Sequence, residues 1–156
     1  MTLRVHTARV SYGGADRLDI TRKSAPPEGI AFAPSWAILR PALDAMKRAR
    51  SVREVAAAKS RLELAALRSP EASADVQVIR TIALVQEDDI WALYAQAYTL
   101  EMRESYRTQR PAWDALLARH EVTLVCYCTD PALCHRTVLA GIFAKLGAIN
   151  EGERHG

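Results

Sequence analysis

Every cysteine of this chain falls within nine positions, and a histidine and an arginine follow at once: Cys126, Cys128, Cys134, His135 and Arg136. Thiols, an imidazole and a guanidinium in one short stretch suit three kinds of chemistry. A thiolate from Cys128 or Cys134 can attack an electrophile while His135 carries the proton, and Arg136 can hold an anionic substrate. The same donors suit zinc, which takes thiolate and imidazole ligands. Or they can simply pack, since a buried cysteine behaves as a small hydrophobe and His135 can satisfy a main-chain group. The spacing is not a redox Cys-x-x-Cys. It is not a phosphatase loop either, because the residue six positions after Cys128 is Cys134, where that loop has arginine. Nor does it fit an ordinary zinc knuckle, as Cys126 lies within an apolar run and Cys134 adjoins His135. The sequence reading therefore assigns no metal and no cofactor. It places catalysis on Cys128, Cys134 and His135, with Arg136 as an anion ligand.

These residues need elements to position them. Val122 to Cys128 is a short apolar, β-branched run bounded by Thr129-Asp130-Pro131, which predicts a strand, buried on both faces and central in its sheet. Alternation puts Cys126 and Cys128 on one face and Tyr127 on the other. Asp130-Pro131 has the form of a helix start, and Gly147 is a natural stop. Val138, Leu139, Ile142, Phe143 and Leu146 then form the apolar stripe. On that helix Cys134 and His135 project from the buried side near the N-terminus, with Arg136 toward the rim. A strand end meeting a helix start is where open α/β sheets bind ligands. The helix N-terminus also favours a thiolate, which ranks Cys134 as the most reactive thiol, Cys128 next and Cys126 last.

Leu3 to Val10 predicts a first strand, and Leu18 to Lys23 a second. Between them Gly13-Gly14 reads as a plain turn, lacking the spacing of a dinucleotide fingerprint. Arg17, Asp19 and Lys23 share one face of the second strand. They are either a binding face or a solvated face with an internal ion pair. Residues 24–34 carry three prolines and predict a loop over the site. Ser35 precedes a helix with Trp36, Ile38 and Leu39 that Pro41 interrupts or restarts. Ser51-Val52-Arg53-Glu54 has the form of a capping box opening the next helix. Val76 to Val85 predicts a strand. Glu87-Asp88-Asp89 opens a helix reaching about Tyr106, on which Arg103, Arg107 and Arg110 form one stripe if it persists. That stripe is a solvated face or an anion-binding one. Pro111 suits the first turn of a helix presenting Trp113, Leu116 and Leu117.

Cys-Tyr-Cys at 126–128, Asp-Pro at 130–131 and Cys-His-Arg at 134–136 together resemble the domain-of-unknown-function 488 family. Tyr12-Gly13-Gly14, the stretch from Arg17 to Ser24, Glu101 to Tyr106 and Trp113 to Leu117 are similar to it as well. The resemblance implies a small α/β fold with a site at the cysteine loop, and it adds Tyr12 to the binding residues. It implies no reaction. It does not extend over residues 51–86, a possible insertion.

The whole chain sets the bounds. Its 156 residues suit one domain and its 49% hydrophobic content suits a globular core. A net charge of +3 is compatible with a polyanion without requiring one. No apolar run reaches the roughly 20 residues of a membrane span, and clustered cysteines do not resemble a disulfide framework. The expectation is a cytoplasmic α/β domain over 1–150, helix-rich, with a small, mostly parallel sheet and a strand–loop–helix site near its end. Residues 151–156 are read as a polar, flexible tail. The function expected is an enzyme acting on an anionic substrate, a nucleotide or phosphorylated metabolite, through Cys128, Cys134, His135, Tyr12, Arg17, Asp19, Lys23, Arg103, Arg107 and Arg136. The alternatives are a nucleic-acid-binding or regulatory module and a thiol or metal-binding protein.

Overall fold

The apolar run before the cysteines forms β3, Glu121–Cys126, and the sheet is assembled around it and β1, Arg4–Arg9. The computed structural model describes residues 2–66 and 90–155. Four strands pair in the order β2-β3-β1-β4, where β2 is Arg17–Asp19 and β4 is Ile149–Glu153, and every pairing is parallel. Val5 lies opposite Val122, and Leu18 opposite Leu124. β3 is interior to the sheet, as its composition predicts, and its residues from Val122 to Cys126 are all buried. Parallel strands need covering on both faces, which is why this run is continuous in apolar and β-branched residues rather than alternating.

Among the described residues the helices are α1, Pro27–Ile30, α2, Trp36–Ala66, α3, residues 90–108, α4, Arg110–Leu117, and α5, His135–Lys145. The chain divides into two compact units. One contains the residues up to Trp36 and those from Ala95 onward; the other runs from Ala37 to Tyr94. The first holds the sheet and is the α/β part. Its core is aromatic: Phe32, Trp113 and Phe143 are fully buried, with ring centroids 4.9 to 5.7 Å apart. Tyr98 and Ser105 on α3 tie the loop before α2 to this core, donating to the carbonyls of Phe32 and Ala31, both at 2.6 Å. In the second unit the described residues are helical, with Ala49 and Tyr94 buried.

Several expectations need correction. Ser51 does not cap a helix, because α2 continues through it from Trp36, and Pro41 lies inside that helix without ending it. β2 stops at Asp19 rather than Lys23. There the Asp19 carboxylate accepts from the Thr21 N–H at 2.8 Å and hydroxyl at 2.7 Å, and this side-chain turn takes the main chain out of the ladder. β3 ends at Cys126, so Cys128 lies in the loop. Pro131–Leu133 is one turn of 3₁₀ helix capped by Asp130, whose carboxylate accepts from Ala132 N–H at 2.9 Å. α5 itself opens at His135, with extended Cys134 as its N-cap. The stretch read as a tail begins inside β4, which gains a sheet neighbour in β1 and an ion pair at Glu153. A bulge between Val5 and His6 adjusts that pairing, and Gly152 takes the positive φ of 85° found beside it. Gly147 stops α5 as predicted, at φ 100°. The strand expected over 76–85 lies outside the described residues.

Candidate functional site

The loop between β3 and α5 and the N-terminus of α5 gather the three sulfurs. Cys126 ends the strand, Cys128 sits two residues on, and the 3₁₀ turn folds the chain back so that Cys134 returns to the same place. Cys126 Sγ lies 3.7 Å from Cys128 Sγ and 3.8 Å from His135 Nδ1. Cys126 and Cys134 are buried, whereas Cys128 is half-buried.

His135 is held from its far side. Its Nε2 lies 3.0 Å from the carbonyl oxygen of Ile20, just beyond β2. A carbonyl can only accept, so Nε2 carries the proton and Nδ1 presents its lone pair to the sulfurs. Burial pushes its pKa below the ordinary histidine value, so the ring is neutral. The ring of Tyr98 packs edge-on against it, centroids 5.2 Å apart.

Arg136 is completely buried and fully engaged. Its Nη1 donates to the Cys128 carbonyl at 2.8 Å and to Cys134 Sγ at 3.3 Å. Nε and Nη2 grip the Glu153 carboxylate at 3.2 and 2.8 Å, and Thr7 donates to the same carboxylate at 2.5 Å. One side chain thus ties the cysteine loop to the end of β4. Burial opposes the charge on both partners, but these hydrogen bonds outweigh it: the Arg136 pKa is raised and that of Glu153 lowered. A guanidinium with no exposed surface cannot meet a substrate directly. The expectation that Arg136 lies toward the rim as an anion ligand is therefore corrected: it is an internal strut.

Contacts with Cys126 and Cys134, helped by the charge of Arg136, depress the Cys128 pKa, while hydrogen bonding among the sulfurs raises those of Cys126 and Cys134. The expected order of reactivity changes accordingly. Cys134 caps α5 but is sealed from solvent; Cys128 is the thiol that a reagent can reach.

Beside this cluster, at the C-terminal ends of β1 and β4, is a cavity of about 250 Å³. Arg9, Tyr12, Thr129, Glu153, Arg154 and His155 are among its lining residues. Arg154 is held by Glu121 at 2.6 Å and lies over the Tyr12 ring, 5.5 Å from its centroid. Tyr12 donates to Asp16 at 2.7 Å. A Cβ on Gly14 would sit 2.1 Å from the Tyr12 hydroxyl. That glycine therefore makes room for the ring rather than supplying a positive φ.

The predicted binding residues do not all gather here. Arg17 donates to the Val10 carbonyl at 3.1 Å. Asp19 is a buried hub, bonded to Thr21 and to Ser24, the latter at 2.6 Å, and these bonds outweigh burial to lower its pKa. Lys23 is exposed in the turn that follows. Arg103 and Arg107 lie on the exposed face of α3, where Arg107 pairs with Glu104 at 3.2 Å. Sequence reasoning missed Arg9, Thr129, Glu153, Arg154 and His155. The available signal was a stop glycine followed by enough chain for one more strand, the pattern of a β–α–β unit.

A family model described as the active DUF488-N3 subclade matches residues 43–147. That span includes the cysteine loop and passes through 51–86; the motif residues from Tyr12 to Ser24 lie outside it. No curated protein and no solved structure matches the chain.

Proposed function

Since the chain belongs to the DUF488 family, we propose that it is a small enzyme of that family in which Cys128 is the reacting group and the adjoining basic cavity holds an anionic substrate. The observation that carries this reading is that the one half-buried thiol precedes a residue lining that cavity. Cys128 is half-buried among otherwise sealed partners, and the next residue, Thr129, lines the cavity together with Arg9, Arg154 and His155. Parallel sheets bind ligands at the C-terminal ends of their strands, and the cavity lies there. The description of the matched subclade as active is in keeping with it.

The roles divide by exposure. Arg9, Arg154 and His155 supply positive charge or hydrogen-bond donors for a phosphate or carboxylate. Cys128 acts as nucleophile or proton-transfer group. Arg136 positions the loop through the Cys128 carbonyl, and neutral His135 orders the buried thiols behind it. A cavity of about 250 Å³ suits a small phosphorylated metabolite or the phosphate end of a nucleotide. The arginines expected to form a basic stripe give the nucleic-acid alternative less support, since Arg107 on α3 is paired with Glu104, and Arg110 on α4 with Asp114 at 2.9 Å.

The test is a thermal-shift and calorimetric screen with inorganic phosphate, pyrophosphate, nucleotides and sugar phosphates. At least one should raise the melting temperature, and Arg154→Ala should weaken its binding by roughly tenfold or more, the loss of one charge-assisted contact of about 1.5–3 kcal/mol. Anion binding unchanged in Arg154→Ala and Arg9→Ala would place the substrate elsewhere.

A further inference from the structure

Two separations measured from Cys126 Sγ, to Cys128 Sγ and to His135 Nδ1, match the edges of a tetrahedral ion site. With Zn–S of about 2.3 Å and Zn–N of about 2.0 Å, a tetrahedron has a sulfur–sulfur edge of about 3.8 Å and a sulfur–nitrogen edge of about 3.5 Å. The corresponding separations are 3.7 Å for Cys126 to Cys128 and 3.8 Å for Cys126 to His135. The donor atoms of Cys126, Cys134 and His135 all lie within 4.8 Å of one another.

The imidazole is oriented for coordination. The Ile20 carbonyl occupies Nε2, which leaves the Nδ1 lone pair aimed at the sulfurs. A main-chain carbonyl on the outer nitrogen is how ligating histidines are commonly fixed in tautomer and direction. The Ile20 carbonyl sets this tautomer and so turns a lone pair, the form a metal needs, toward Cys126. Arg136 adds an N–H donor to Cys134 Sγ, a contact suited to a sulfur bearing negative charge. Thiolate and imidazole donors favour zinc over magnesium or calcium, which take oxygen ligands. The nearby carboxylate of Asp19 is occupied by Thr21 and Ser24.

We propose that Cys126, Cys134 and His135, completed by Cys128, bind one zinc ion. The assignment rests on the same thiol cluster as the enzyme reading, but not on its reaction. Three thiolates with Zn²⁺ leave one net negative charge, offset by the N-terminus of α5 and by the N–H group of Arg136. Three ligands are buried and the fourth, Cys128, is half-buried. The position nearest solvent is therefore the one that can exchange, as in catalytic rather than closed structural sites. A coordinated thiol is deprotonated, so the ion would hold Cys128 as thiolate, and loading releases protons.

The full chain, purified under reducing conditions without chelator, should contain about one zinc per chain by elemental mass spectrometry, as expected for a single site. Exchange for Co²⁺ should give the visible bands of tetrahedral cobalt and thiolate-to-cobalt absorption in the near ultraviolet. Cys128→Ser, a change at the least buried ligand, should keep a folded protein but reduce the thiolate-to-cobalt absorption by about a third, as one of three thiolates is lost. Folded wild-type protein that gives no such absorption with Co²⁺ overturns the proposal, as does a spectrum unchanged by Cys128→Ser. The two readings fail separately. No cobalt spectrum, with anion binding still lost in Arg154→Ala, removes the ion and leaves the enzyme reading. A cobalt-binding protein that responds to no anion removes the enzyme reading and leaves the ion.

Discussion

At the scale of single residues, Arg136 has the largest assigned role. It joins the Cys128 carbonyl and the Cys134 sulfur to Glu153, and it has no exposed surface. Removing one partner of a buried pair strands the other charge, at about 3–5 kcal/mol. Arg136→Met is therefore expected to lower stability by about that amount in chemical denaturation; a loss of under about 1 kcal/mol, the range of exposed pairs, would contradict the burial assigned to it. Glu153 adds a pH signature. Its folded pKa lies below the ordinary value because the Arg136 and Thr7 hydrogen bonds outweigh burial. The unfolded chain therefore takes up the proton first as pH falls. The stability from Glu153 is present above its unfolded pKa of about 4.3 and is lost as pH falls through the lower folded value. Melting temperatures should decline from about pH 5 downward. Glu153→Gln should be less stable at neutral pH and show a shallower acid slope; an identical slope would rule out this linkage. Little of this was legible in sequence. The residue types at 126–136 pointed to a site, but an arginine beside a histidine looks the same whether it faces a ligand or a glutamate on the next strand.

At the scale of elements, the site depends on how closely α1 approaches the end of β2. A Cβ on Gly29 would lie 2.1 Å from the Asp19 carbonyl oxygen. Asp19 immediately precedes Ile20, whose carbonyl fixes His135. Main chain cannot yield as a flexible side chain does, so Gly29→Ala is expected to destabilise by about 1–3 kcal/mol, in the range of overpacking. It should also perturb the His135 ring resonances in NMR spectra. Unchanged stability and unchanged His135 signals would show that α1 does not set this distance. The strands β1 and β3 were legible because apolar, β-branched residues make a two-sided buried strand recognisable. The start of α5 was misplaced by four residues, from Pro131 to His135. Asp-Pro announces a first turn equally well for a 3₁₀ turn and an α-helix, and only the fold decides which continues. β4 was missed because its residues are polar. Its stability comes from pairing with β1 at the other end of the chain and from Glu153, which meets Thr7 on β1 as well as Arg136.

At the scale of the molecule, the claim is that an all-parallel sheet brings an accessible thiol, its buried thiol partners and a basic cavity to one end. Chain topology makes this possible: β1, β3 and β4 each deliver their C-terminal residues there, Arg9, Cys126 and Glu153. The sequence could supply the cysteine half of the site, which is local, but not the cavity half, whose residues come from both ends of the chain. The most direct measurement is site-resolved alkylation of the full chain with iodoacetamide, read by peptide mass spectrometry, with and without a phosphate-bearing ligand that binds. Cys128 should label first, Cys126 and Cys134 should label only slowly, and the ligand should slow the labelling of Cys128 in wild-type protein but not in Arg154→Ala. Faster labelling of Cys134 or Cys126, or a Cys128 rate indifferent to bound ligand, would contradict the account.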